Sequence, residues 1–122
     1  MSSPGRKRVL VVDDSQDAAD GLALTLKLSG YETCVAYDGA TAVERAREFQ
    51  PEVALLDIGM PEMDGYELGA RLRALPGGAE VRLIAVTGYG QDKDRARSKA
   101  EGFHAHLVKP ADMADLRRAI DE

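Results

Sequence analysis

Five short apolar segments alternate along the chain with five segments whose apolar residues recur three and four positions apart. The apolar segments are "RVLVVDD", "YETCVAYD", "EVALLD", "VRLIAVTG" and "AHLVK". Short runs of this kind, rich in β-branched residues, are typical of strands that are buried on both faces. In the intervening segments, the recurrence of apolar residues three and four positions apart indicates amphipathic helices. The pattern therefore predicts an α/β fold in which strands and helices alternate.

The predicted helices carry their own start and stop signals. The first, "SQDAADGLALTLKLSG", has Ser15 as a capping residue and Gly30 as a stop. Its side chains expected to face the core are Ala18, Ala19, Leu22 and Leu26. The next three are "GATAVERAREFQ", "GYELGARLRAL" and the charged "DKDRARSKAEG", and "PADMADLRRAIDE" ends the chain. Asp64 and Gly65 are expected to form the turn and cap of the third helix.

Helical connections between apolar strands predict a parallel sheet covered on both faces. Because the crossovers are right-handed, few arrangements remain, and the doubly wound order 2-1-3-4-5 is the natural one. We therefore expect a flavodoxin-like domain over residues 8–122, preceded by a flexible segment at 1–7. Ligands of such sheets bind outside the carboxyl ends of the strands, at the switch point between strands 1 and 3.

Composition removes several classes of function. The 122 residues carry a net charge of -5, which argues against binding to nucleic acid or to an anionic membrane. No apolar run approaches the roughly 20 residues that span a bilayer. The basic start "MSSPGRKR" precedes only four apolar residues, so it does not resemble a signal peptide. A single cysteine, Cys34, excludes an internal disulfide and fits a cytoplasmic location.

Polar residues follow four of the five predicted strands. Asp13 and Asp14 end the first, Asp57 the third, Thr87 the fourth and Lys109 the fifth. In a parallel sheet these groups meet at one edge, where three carboxylates would repel each other unless a cation joined them. Mg²⁺ is the expected cofactor, because it prefers hard oxygen ligands and binds through few of them.

A carboxylate, a divalent cation, a lysine and a hydroxyl together can handle a phosphoryl group. The carboxylate can be the nucleophile, while the cation and lysine neutralise charge on the transferring oxygens. A flavodoxin is disfavoured, because Asp13 and Asp14 would repel the phosphate of its cofactor.

The segments "VLVVDD", "ALLDIGMPEMDGYEL", "AVTG" and "LVKP" resemble, in order and spacing, the receiver domain of two-component signalling over residues 7–120. The chain resembles in character the receivers of hybrid sensor kinases, or free-standing relatives of those receivers. The resemblance implies that Asp57 is the phospho-acceptor and that Asp14, Asp57 and the Gly59 carbonyl bind Mg²⁺, with Asp13 acting through a water. It also implies that Thr87 and Lys109 contact the phosphoryl group. A cis peptide bond is expected before Pro110.

The same resemblance implies a signalling function. A sensor histidine kinase or a histidine phosphotransfer protein would dock near the first helix and supply the phosphoryl group. The domain would be an acceptor with slow autodephosphorylation rather than an enzyme, and a monomer or a phosphorylation-dependent dimer. A longer parent protein would be a histidine kinase.

Three positions qualify this resemblance. His106 stands where most receivers have tyrosine or phenylalanine. One interpretation is that His106 is a half-buried strand histidine. The other is that it is the partner of Thr87 and that protonation of its imidazole would adjust the switch. His104 is expected to face solvent. Because Gly59 has no side chain over the phosphate, Tyr89 is predicted to gate the access of hydrolytic water.

Two other classes of function are compatible with an acceptor aspartate. A haloacid-dehalogenase-like phosphatase also uses an aspartate nucleophile with Mg²⁺, but it needs a second acid where this chain has Gly59. A degenerate receiver that serves only as an interaction module normally lacks one or more of the acids, and all are present here.

Overall fold

The computed structural model describes residues 6–88 and 92–122. The strands are β1 (Arg8–Val12), β2 (Glu32–Ala36), β3 (Val53–Asp57), β4 (Arg82–Thr87) and β5 (Ala105–Val108). The helices are α1 (Gln16–Leu28), α2 (Gly39–Phe49), α3 (Gly65–Arg73), α4 (Asp92–Ala100) and α5 (Met113–Asp121). Every predicted element is present. Strand β2 is shorter than its apolar segment, because Tyr31 and Tyr37 lie just outside the ladder.

The strands form one parallel sheet in the order β2-β1-β3-β4-β5, which confirms the predicted doubly wound topology. Strand β1 lies between β2 and β3, so the chain reverses its direction of winding at β1 and β3. The carboxyl ends of these two strands consequently flank the switch crevice, which is where ligands of such sheets bind.

Apolar residues on the two faces of the sheet form two separate cores. One joins alternate residues of β1, β3 and β4 with α2 and α3, and the other joins the remaining residues with α1 and α5. On α1 the buried residues are Ala19, Ala23 and Leu26. The expectation that Ala18 faces the core is wrong: it is exposed, and Ala23, one turn after Ala19, is buried.

Side-chain caps fix where α1 and α3 begin, next to the carboxyl edge of the sheet. Ser15 accepts a hydrogen bond from the N–H of Ala18 at 3.4 Å, and Asp64 accepts one from the N–H of Glu67 at 2.9 Å. Each cap satisfies an N–H that has no partner inside its helix. Both caps agree with the sequence prediction.

Helix α4 differs from the other four in how it meets the body of the protein. Among its residues 95–100, the buried one is Ser98, whose exposed fraction is 2%. The helix was predicted to be charged, and this stretch carries Arg95, Arg97 and Lys99 on its exposed surface. In the described part of α4, a hydroxyl group therefore occupies the position that an apolar side chain fills elsewhere.

Within the described ranges, no helix combines the length and apolarity that crossing a bilayer requires. Cys34 is half-buried in the edge strand β2. The segment 1–5, part of the predicted flexible N-terminus, lies outside the described residues.

Candidate functional site

Three carboxylates converge where β1 and β3 end. Asp13 and Asp14 follow β1, Asp57 is the last residue of β3, and one oxygen from each lies within 4.8 Å of the others. Asp13 and Asp57 are buried, whereas Asp14 is exposed. The parallel register of β1 against β3 produces this arrangement, because it brings both strand ends to the same edge.

Lys109, which follows β5, contacts two of these acids. Its Nζ donates a hydrogen bond to Oδ2 of Asp13 at 2.6 Å and lies 3.7 Å from Oδ2 of Asp57. Burial lowers the pKa of Lys109, but the hydrogen bond to Asp13 and the charges of Asp57 and Asp13 outweigh it, so the pKa is raised. The amine is thus held as a cation between the two carboxylates.

The backbone of Lys109 is bonded to the neighbouring strand. The Lys109 N–H donates to the carbonyl of Thr87 at 2.7 Å, which ties the end of β5 to the end of β4. The peptide bond between Lys109 and Pro110 is cis. The hydrogen bond to Thr87 places Lys109 at the edge of the sheet where its side chain contacts Asp13 and Asp57.

Asp57 is the acid whose environment most opposes its negative charge. Burial raises its pKa, and the charge of Asp13 and a contact with Asp14 raise it further. A hydrogen bond from the N–H of Gly59 at 3.0 Å and the charge of Lys109 act in the opposite direction, but the net shift is upward. A further cation at this position would therefore relieve a repulsion that Lys109 leaves only partly compensated.

The loop between β3 and α3 packs tightly against the site. Gly65, the first residue of α3, donates its N–H to the carbonyl of Ile58 at 3.2 Å. A Cβ atom at Gly65 would lie 2.9 Å from the carbonyl oxygen of Asp57 and 2.9 Å from Cα of Ile58. The absence of a side chain at Gly65 thus lets the helix begin directly against the backbone that carries Asp57.

The remaining predicted site residues lie at the same edge or outside the described structure. Thr87 is buried at the end of β4, beside Val108 of β5. Gly59 is exposed in the loop after Asp57. Tyr89, the predicted gate, lies outside the described residues.

A cleft of about 320 Å³ opens beside the acids, between α1 and the segment that leads into α5. Asp57, Asp13 and Lys109 line one end of it, and Gly21 and Leu116 lie among the residues further in. The site is thus accessible from the side on which α1 lies.

Sequence reasoning missed a hydrogen-bonded group around His106. The imidazole Nδ1 lies 2.9 Å from Oγ of Ser98, and that oxygen lies 3.1 Å from the hydroxyl of Tyr66. His106 is half-buried and His104 is exposed, as predicted. The one signal for this group in the sequence was a serine in a helix that has no apolar stripe.

Comparison with known proteins identifies the family. The response regulator receiver domain profile matches residues 9–121. The chain is 39% identical to the transcriptional regulatory protein PrrA of Mycobacterium leprae, covering 95% of this chain and 48% of PrrA. It thus spans about half the length of that relative.

Two solved structures have the same fold. Chemotaxis protein CheY4 of Vibrio cholerae superposes with a TM-score of 0.86 at 29% identity, covering 93% of this chain and 95% of that one. The receiver domain of sensor histidine kinase PA1611 of Pseudomonas aeruginosa, solved with a magnesium ion in its active site cleft, has a TM-score of 0.82 at 28% identity, covering 95% of each chain. Together with the acids and lysine at the sheet edge, these similarities show that the chain belongs to the response regulator receiver domain family.

Proposed function

We propose that Asp57 accepts a phosphoryl group from a phosphohistidine of a sensor histidine kinase or a histidine phosphotransfer protein. The observation that carries this proposal is the convergence of three carboxylates within 4.8 Å, with Lys109 bridging two of them. Such a cluster is costly to fold, because like charges repel at short range. A function that requires the cluster explains why the chain retains it.

The donor set fits Mg²⁺. Three carboxylates with a carbonyl nearby are hard oxygen ligands. Burial first, and then the charge of Asp13, raise the pKa of Asp57, so a cation beside it would stabilise its ionised form. Asp14, Asp57 and the Gly59 carbonyl would hold the ion, with Asp13 acting through a water. The magnesium ion in the active site cleft of the PA1611 receiver supports the choice of Mg²⁺. When bound, the ion would neutralise charge on the transferring oxygens.

The residues of the chain would then perform an in-line transfer. An oxygen of Asp57 forms a bond to phosphorus while the bond from phosphorus to the histidine nitrogen of the donor breaks. Lys109, already 3.7 Å from Asp57, pairs with the new dianion, and the Thr87 hydroxyl donates a hydrogen bond to it. The donor would approach from the α1 side, where the cleft reaches the acids.

The output of this switch is a change in packing. When Thr87 turns toward the phosphate it leaves space behind β4, and the surface formed by β4, α4 and β5 repacks. Two new charge-assisted contacts can shift the balance between two packings of this surface. Residues 8–122 act as one acceptor domain with slow autodephosphorylation, in the cytoplasm, as a monomer or as a phosphorylation-dependent dimer.

Intact-mass spectrometry after treatment with acetyl phosphate tests this function. We expect the wild-type protein to gain the mass of one phosphoryl group in the presence of Mg²⁺ and to gain almost none in its absence. Asp57→Asn should remain unlabelled under both conditions, because an amide oxygen is a much weaker nucleophile. Asp64→Asn is the matched control: asparagine caps a helix about as well as aspartate, so labelling should persist.

An assay of inorganic phosphate in the same reaction, read together with the protein mass, separates the alternatives. Continuous release of inorganic phosphate without a retained group would favour an aspartate-nucleophile phosphatase. A wild-type protein that gains no mass with Mg²⁺ and donor would contradict the acceptor function and favour a pure interaction module.

A further inference from the structure

Helix α4 is attached to the body of the protein through a chain of polar contacts. Oγ of Ser98 lies 3.1 Å from the Tyr66 hydroxyl on α3 and 2.9 Å from Nδ1 of His106 on β5. Ser98 and Tyr66 are buried, with exposed fractions of 2% and 6%. The Ser98 hydroxyl thus joins α4 to α3 and β5, a role that apolar side chains fill for the other helices.

Ring contacts surround this polar chain. The Tyr66 ring packs edge-on against Phe103, with centroids 5.5 Å apart, and the guanidinium of Arg97 lies 4.1 Å from the Tyr66 centroid. Tyr66 is therefore held from two sides, which fixes the position of its hydroxyl. Burial makes each hydrogen bond among Tyr66, Ser98 and His106 costly to lose, because a polar group left unpaired there has no access to water.

The register of the sheet places His106 on the same face as Thr87. His106 pairs with Ala85, and Thr87 pairs with Val108, so the two residues lie two register positions apart on neighbouring strands. Side chains two positions apart along a strand point to the same face. Any rearrangement of Thr87 toward Asp57 therefore alters the space next to the imidazole.

The contacts of Lys109 differ from those that a phosphoryl group on Asp57 would require under the proposed function. Lys109 lies closer to Asp13 than to Asp57, at 2.6 Å against 3.7 Å. The amine is therefore paired chiefly with Asp13, whereas a dianion on Asp57 would draw it toward that residue. The contacts between Tyr66, Ser98 and His106 are formed in this same arrangement.

We infer that Ser98 is the positioning residue that holds His106 and α4 in the unphosphorylated arrangement, and that its hydrogen bond to His106 breaks when Asp57 is phosphorylated. This inference rests on the proposed function and adds the residue through which α4 senses the site. Because coupling between sites is reciprocal, removing the hydroxyl must make the phosphorylated arrangement easier to reach.

The binding of beryllofluoride, a mimic of a carboxylate-bound phosphoryl group, in the presence of Mg²⁺ tests this inference. We expect Ser98→Ala to bind beryllofluoride about fivefold more tightly than the wild type, because a net hydrogen bond no longer opposes the change. His106→Phe, which retains a planar ring but no nitrogen, should show a similar gain. The double variant should bind no more tightly than either single variant.

Lys99→Ala, at an exposed position of the same helix, is the matched control and should bind like the wild type. A purely structural role for Ser98 would lower stability without tightening beryllofluoride binding. Unchanged or weaker binding by both Ser98→Ala and His106→Phe, or additive gains in the double variant, would overturn the inference. If Ser98→Ala fails to fold, the comparison of His106→Phe with the wild type decides the matter. A wild type that binds no beryllofluoride would instead contradict the proposed function.

Discussion

Replacing Lys109 with alanine is expected to lower the free energy of unfolding by about 2 kcal/mol in the absence of Mg²⁺. Removing one partner of a buried ion pair costs more, but the Lys109 side chain is 33% exposed, and solvent reduces the effect. The variant leaves Asp13 and Asp57 without their cation. Mg²⁺ should then bind the variant more tightly than the wild type and restore most of the lost stability. Urea unfolding with and without Mg²⁺ measures both effects.

Lys27→Ala is the control for this variant. It removes the same charge from an exposed position in the last turn of α1, at the other end of that helix from the acids. Its effect on stability should be small and independent of Mg²⁺. Equal losses in Lys109→Ala with and without the ion would contradict the assignment of the three acids as a cation site.

The loss caused by Lys109→Ala should also depend on pH in a defined direction. The pKa of Lys109 is raised in the folded protein, so titration of the lysine itself leaves its contribution complete below its ordinary value of 10.5 and reduces it as pH rises through the raised value. The pKa of Asp57 is raised above its ordinary value of 3.8. As pH falls through the folded-state value, Asp57 takes up a proton and the cluster loses a negative charge. The difference between variant and wild type should therefore shrink toward acid pH.

Gly65→Ala is expected to have a comparably large effect for a steric reason. The new Cβ would lie 2.9 Å from backbone atoms of Asp57 and Ile58, so the end of β3 or the start of α3 must move. Overpacking of this kind costs about 1–3 kcal/mol. Because the displaced backbone carries Asp57, Mg²⁺ affinity should fall about tenfold, a loss within the 10–100-fold range for groups that orient metal ligands. Calorimetric titration with Mg²⁺ and urea unfolding give the two values.

Gly21→Ala is the matched control for this substitution. A Cβ atom at Gly21 would have no neighbour within 4 Å, and the residue lies exposed in the interior of α1. Alanine should stabilise the protein there by about 0.5–1 kcal/mol, through helix propensity alone. A stable Gly65→Ala variant with normal Mg²⁺ affinity would show that the close approach of α3 to β3 does not position Asp57.

The topology could be predicted because it depends on features that recur along the whole chain. Alternation of apolar strands with helices leaves few parallel arrangements, and the order 2-1-3-4-5 followed from that restriction. The same reasoning placed Asp13, Asp57 and Lys109 at one edge, because strand ends in a parallel sheet share an edge. The sequence therefore predicts which residues meet at the site but not the distances between them.

Contacts between elements could not be predicted in the same way. Spacing alone did not distinguish Ala18 from Ala23 as the residue of α1 that faces the core, because positions next to an apolar stripe differ by only part of a helical turn. The closer contact of Lys109 with Asp13 than with Asp57 depends on side-chain geometry that the sequence pattern does not specify. The contact between Ser98 and His106 joins two elements whose relative position the pattern leaves open.

Locating the phosphoryl group by tandem mass spectrometry tests the central claim most directly. Wild-type protein labelled with acetyl phosphate and Mg²⁺ would be digested at acid pH, and the modified peptide sequenced. We predict one modified residue, Asp57, in a linkage that hydroxylamine cleaves, as expected for an acyl phosphate. A phosphoryl group on a serine, a histidine or another aspartate, or one that resists hydroxylamine, would contradict the account.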